Sequence, residues 1–137
     1  MNARILLAER DSQLREYYRA YLDRHGFEVK TASDGLDCLT KIRNSSPDLL
    51  ILDRDLLWGG SDGVLACLNE DGLDSQLPVI LTASCYPCDL RSSPACLERL
   101  SHRKLLSKPF HPRHLIEAIH SVIGRFSQGR HRIKECV

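Results

Sequence analysis

Ser46-Pro47-Asp48-Leu49-Leu50-Ile51-Leu52-Asp53 is the stretch from which the fold can be read. A breaker precedes four branched apolar residues and an acid, and so short an apolar run between turn signals reads as a strand covered on both faces. Asp53 then stands at the mouth of a buried sheet. The simpler alternative is that Asp53 opens a turn, as an Asp after a strand commonly does.

Outward from this run the chain repeats the same design. Ile5-Leu6-Leu7-Ala8 is a second doubly apolar strand ending in charge at Glu9-Arg10-Asp11. Asp11 can cap a helix carrying Leu14, Tyr17, Tyr18, Tyr21 and Leu22, with Gly26 as its stop. Phe27, Val29 and Thr31 alternate with polar residues, the pattern of an edge strand with one wetter face. Ser33-Asp34-Gly35 opens a helix with Leu36, Leu39 and Ile42 inward. After the central strand, Ser61 or Asp62 can cap a third helix with Val64, Leu65 and Leu68. Pro78-Val79-Ile80-Leu81-Thr82 is a fourth strand, and Ser93-Pro94 predicts a short helix to about Leu100. Leu105-Leu106-Ser107 is a brief fifth strand, and Pro112 opens a last helix with Leu115, Ile116, Ile119, Val122, Ile123 and Phe126 on one face. Alternation of strand and helix makes the fold α/β with a parallel sheet and right-handed crossovers.

With 137 residues the chain is expected to form one domain, over 1–124, followed by a basic tail over 125–137 holding Arg125, Arg130, Arg132 and Lys134 against Glu135. Nineteen Lys+Arg against 18 Asp+Glu give a net charge of +1, so no whole-protein field favours nucleic acid or acidic membranes. The N-terminal apolar run is too short for a signal peptide, and no run approaches a membrane span, so a cytoplasmic location is expected. Cys38 and Cys67 fall within amphipathic helix patterns, where a reduced thiol acts as a small hydrophobe.

In an open parallel sheet, ligands bind beyond the carboxyl ends of the strands. Those ends carry Glu9 and Arg10, Asp53, Thr82 and Lys108. Taken singly they could be turn residues, a loop cap or a solvated end. Taken together they suit phosphoryl chemistry: a carboxylate attacks, a hydroxyl and an ammonium bind phosphoryl oxygens, and neighbouring acids hold Mg²⁺.

At these residues the chain resembles the receiver domain of bacterial two-component response regulators. The likeness runs from about Arg4 to Ile123, through Ile5-Leu6-Leu7-Ala8-Glu9, Pro47 to Asp53, Asp62-Gly63, Pro78 to Ala83, and Ser107-Lys108-Pro109-Phe110. It implies a flavodoxin-like, five-stranded sheet in order 2-1-3-4-5 and a cis Lys108-Pro109 bond, while the irregular stretch from Ala83 to His102 leaves the fourth helix degenerate. It further implies Asp53 as phospho-acceptor, Thr82 as switch hydroxyl, and Lys108 as the phosphoryl-binding lysine. A histidine kinase or phosphotransfer protein would be the donor and a downstream protein the target. With no output domain in sight, the reading is a stand-alone signalling domain and not an enzyme beyond its own phosphotransfer.

Several positions depart from the family's pattern. Arg10 stands where the second, metal-contacting acid is usual, which leaves Glu9, Arg10, Asp53 and Lys108 formally neutral. The guanidinium could pair with Asp53, occupy the metal's space and leave Mg²⁺ binding weak or absent. Alternatively it swings into solvent and Glu9, Asp53 and Asp55 hold the ion. The loop from Arg54 to Gly63 is longer than usual and Gly-rich, and burial is the reading adopted for Trp58 within it. Leu105 replaces the usual aromatic partner of the switch hydroxyl.

Other readings remain. A phosphorylation-independent pseudo-receiver would share the fold and act as a protein-interaction module. A flavodoxin-like cofactor binder would need a Ser/Thr/Gly-rich loop after the first strand, where Glu9 and Asp11 stand. Cys85, Cys88, Cys96 and His102 could ligate zinc, although only one close Cys pair exists.

Overall fold

The computed structural model describes residues 3–72, 77–84 and 103–135, with backbone alone for residues 103 and 124–135. Five strands, β1 (Arg4–Ala8), β2 (Glu28–Ala32), β3 (Leu49–Asp53), β4 (Val79–Ser84) and β5 (Arg103–Lys108), form one sheet in the order β2-β1-β3-β4-β5. Every pairing is parallel. The described helices are α1 (Ser12–Arg24), α2 (Gly35–Ser45), α3 (Gly60–Glu70) and α4 (Pro112–Glu135). This is the α/β architecture that the run at Leu49 to Asp53 implied.

Side-chain alternation divides the core in two. Leu6, Leu50, Leu52 and Leu81 face α2 and α3, with Cys38, Ile42, Val64 and Leu68. Ile5, Leu7, Leu49, Ile51 and Ile80 face α1 and α4, with Tyr18, Leu22, Leu115 and Ile119. Each Leu or Ile buried this way contributes roughly 1.5–3 kcal/mol. All five residues of β3 are buried, including the terminal acid. The next residue of the alternation, Asp53, therefore shares a side of the sheet with Leu49 and Ile51.

Local signals explain most boundaries. Asp11 caps α1 by accepting from the amides of Gln13 and Leu14, and Asp34 caps α2 by accepting from the amide of Asp37. Three expectations need correction. Leu36 is 58% exposed, because Cys38 and Ile42 supply the inner face of α2. Neither Ser61 nor Asp62 caps α3; Gly59, with φ of 87°, takes the cap position, and Ser61 is buried in the first turn. Trp58 is 69% exposed, not buried. The α4 backbone also continues to Glu135, so the basic segment after Gly124 begins as helix. The short helix expected from Pro94 to Leu100 lies outside the described residues, as do Cys85, Cys88, Cys96 and His102.

Candidate functional site

The register of the sheet gathers the polar ends of the strands. Ala8 pairs with Leu52, Asp53 with Thr82, and Ser84 with Lys108. Glu9 follows β1 directly and its amide donates to the Ala32 carbonyl at 3.1 Å, which prolongs the β1 and β2 ladder by one rung. Glu9, Asp53 and Thr82 are all buried, and the Lys108 side chain is 17% exposed. The Lys108-Pro109 bond is cis, as the resemblance implied. Glu9, Asp53, Thr82 and Lys108 thus lie together at the carboxyl end of the sheet.

Each oxygen of the Asp53 carboxylate accepts from a backbone amide, Oδ2 from Arg10 at 3.0 Å and Oδ1 from Asp55 at 3.1 Å. Lys108 Nζ is 2.6 Å from Glu9 Oε1 and 3.5 Å from Asp53 Oδ1. The ammonium is therefore bonded to Glu9 and only near Asp53. Glu9 Oε2 accepts from the Asp11 amide at 3.0 Å, and the Glu9 carbonyl accepts from Arg15 Nη1 at 2.9 Å. A buried acid so thoroughly held is a built part of the pocket, since an unpartnered buried carboxylate would be costly.

Two carboxyls beside each other cannot ionise equally. Burial, reinforced by the neighbouring Asp53, raises Glu9 above its usual range, and Lys108 and the Asp11 amide offset this only in part. Burial also pushes Asp53 upward, but hydrogen bonds from Glu9 and from the Arg10 and Asp55 amides, together with Lys108, hold it below its usual range. Asp53 is therefore the more acidic member of the pair. Tyr18, buried against Phe110, has its phenol pushed up to about 12 by burial and then by the charge of Glu9, so it stays neutral.

Of the two arrangements expected for the Arg10 side chain, pairing with Asp53 or pointing into solvent, the structure shows the second. The contact of Arg10 with Asp53 runs through the backbone amide, while its side chain is exposed and, among the described residues, has no hydrogen-bond or ion-pair partner. No side-chain type could have signalled this contact, since every residue but proline carries the same donor.

The pocket suits a dication poorly. Mg²⁺ demands near-octahedral oxygen coordination, commonly with one or two carboxylates and several waters. Here Glu9 already holds an ammonium, position 10 offers a cation, and the Asp55 side chain is exposed. Among the described residues no group of three or more acids, histidines or cysteines is arranged to hold a metal ion.

The sequence reading missed the outer wall of the site. The Gly35 amide donates to the Leu57 carbonyl at 2.8 Å, and Asp34 and Leu57 form an isolated parallel bridge. A β-carbon on Gly35 would collide with the Trp58 carbonyl oxygen. This seam ties the loop after β3 to the start of α2. Trp58, Gly59 and Gly60 all have positive φ, at 66°, 87° and 63°, so the tie is made across three consecutive left-handed residues. The Gly pair in the sequence was the available signal.

The model of the response regulator receiver domain family matches residues 5–120. Over 84 residues the chain is 36% identical to the response regulator MprA of Mycobacterium tuberculosis, covering 61% of this chain and 36% of that protein. Over 126 residues it is 31% identical to the DNA-binding response regulator MtrA of Mycobacterium leprae, covering 91% of this chain and 53% of the relative. The chain thus spans about half or less of the length of these curated relatives. Its fold is similar to a signal receiver domain from Vibrio parahaemolyticus, with a TM-score of 0.81 and 22% identity over 95% of this chain and 96% of the other. The chemotaxis response regulator CheY4 of Vibrio cholerae gives a TM-score of 0.77 and 20% identity over 89% and 99% of the two chains. Among the described residues no helix is long and apolar enough to cross a membrane.

Proposed function

The chain belongs to the response regulator receiver domain family of two-component signalling, and from that membership we propose that Asp53 accepts a phosphoryl group from a histidine kinase or a phosphotransfer protein and passes the signal to a downstream protein target. The observation that carries this reading is the setting of Asp53, a carboxylate at the end of a buried strand with both oxygens oriented by backbone amides.

A carboxylate held in this way is a positioned nucleophile. One Asp53 oxygen attacks the phosphorus of a phosphohistidine; a P–O bond forms, the P–N bond breaks, and the imidazole leaves with the electron pair and takes up a proton. The product is an acyl phosphate. Thr82, in register with Asp53, donates to a phosphoryl oxygen, and Lys108 offers its ammonium to another once it moves off Glu9. Receiver domains typically use Mg²⁺, but Arg10 in place of an acid makes a strong dependence on that ion a poor fit to these residues.

A second reading, a pseudo-receiver that binds partners without phosphotransfer, draws support from Lys108 lying closer to Glu9 than to Asp53. Intact-mass measurement after exposure to acetyl phosphate and to a phosphorylated phosphotransfer protein, with and without Mg²⁺, separates the two. Phosphotransfer predicts a one-phosphoryl adduct that Asp53→Asn abolishes. An unchanged mass under every condition would favour the pseudo-receiver.

A further inference from the structure

We propose that the guanidinium of Arg10 is the counter-charge for an oxyanion on Asp53, so that the pocket binds a phosphoryl group, or its beryllofluoride mimic, without a divalent cation. This inference rests on the reading of Asp53 as the phospho-acceptor.

Three observations converge on Arg10. Its amide is bonded to Asp53 Oδ2 at 3.0 Å, which places the root of the side chain beside that carboxylate. The side chain itself is exposed and without a partner among the described residues, so it can turn inward without breaking a contact. In contrast, Arg15 and Arg43 are committed, to the Glu9 carbonyl and to Asp71. The third observation concerns Lys108. Its ammonium lies at 2.6 Å from Glu9 and 3.5 Å from Asp53, and it is shared between two carboxyls before any ligand arrives.

Charge decides the matter. A phosphoryl group brings close to two negative charges into a buried site, and one shared ammonium cannot balance them. A dication would meet a cation at position 10 in place of a ligand. The guanidinium meets the same need in another way, because its planar fork donates two parallel hydrogen bonds to phosphoryl oxygens. The anion needs positive charge beside Asp53, and Arg10 is rooted there by its amide.

The test is ¹⁹F NMR titration of the full chain with beryllofluoride in excess EDTA, repeated with Mg²⁺. The expected result is a bound signal in EDTA, with affinity changed less than about threefold by Mg²⁺. Arg10→Ala should weaken binding by about tenfold or more, as loss of charge-assisted hydrogen bonds does, and Arg10→Lys should recover part of it. Arg10→Asp should bind only with Mg²⁺. Binding of the unaltered chain that requires Mg²⁺, or binding in EDTA that Arg10→Ala leaves unchanged, would overturn this role while leaving Asp53 as acceptor. No bound signal under either condition, together with no phosphoryl adduct by mass, would remove the acceptor reading and this proposal with it. Because Arg10 is exposed, unaltered thermal unfolding of the variants is expected and shows that a loss is local.

Discussion

The floor of the pocket and its rim are built by different means. On the floor, Glu9 and Asp53 stand at the ends of largely apolar buried strands, and their carboxyl oxygens are held by amides or by Lys108. On the rim, Leu57 and Trp58 are 53% and 69% exposed, and the Asp34–Leu57 bridge with the Gly35 amide ties the chain across to α2. Hydrophobic burial positions the floor, so its geometry follows from the sheet. The rim is positioned by left-handed backbone and by the absence of a side chain at residue 35, so its geometry follows from glycines.

Substitutions can break this contrast, and the largest effect is expected at the seam. Gly35→Ala drives a β-carbon into the Trp58 carbonyl and also approaches the Leu57 carbonyl, at 3.3 Å. A backbone atom cannot swing away as a side chain can, so a loss of about 1–3 kcal/mol is expected in urea denaturation, the range of overpacked sites. A loss below a few tenths of that would mean that the rim yields freely.

On the floor, the corresponding probe is pH. Glu9 holds its proton more tightly folded than unfolded, so acidification from neutrality favours the folded state until the pH passes below the ordinary value of 4.5. Asp53 holds its proton less tightly when folded, so its contribution is complete above 3.8 and lost as the pH falls through its lower folded value. Denaturation followed across this window should show stability rising and then falling. Glu9→Gln should flatten the rise and leave the fall in place.

The smallest effect is expected at Trp58. With φ of 66° and its ring in water, it carries strain without burial in return. Trp58→Gly should stabilise the chain by about 0.5–1 kcal/mol, the left-handed penalty less the entropy of a glycine. A destabilised variant would instead assign the indole a packing role within the free chain.

The same contrast explains what could be read in advance. The strands at Ile5, Leu49 and Val79 were legible because doubly covered runs are apolar throughout, and Asp11 and Asp34 because capping needs a short acceptor at one position. Leu36 was misread because periodicity counts apolar residues without asking which neighbour fills the inner face, and the small Cys38 fills it. The convergence of Glu9, Asp53, Thr82 and Lys108 was visible as polar ends of apolar runs. The Arg10 contact and the Gly35 seam were not, since both are made by main-chain atoms that all residue types share.

The bridge between Asp34 and Leu57 joins the turns that follow two strands lying apart in the sheet, β2 and β3, with β1 between them. It ties together two turns that the sheet itself keeps one strand apart. A change in either turn must therefore preserve the close approach at Gly35, where a β-carbon would meet the Trp58 carbonyl. The two loops are mechanically a single part, although twenty-two sequence positions separate Gly35 from Leu57.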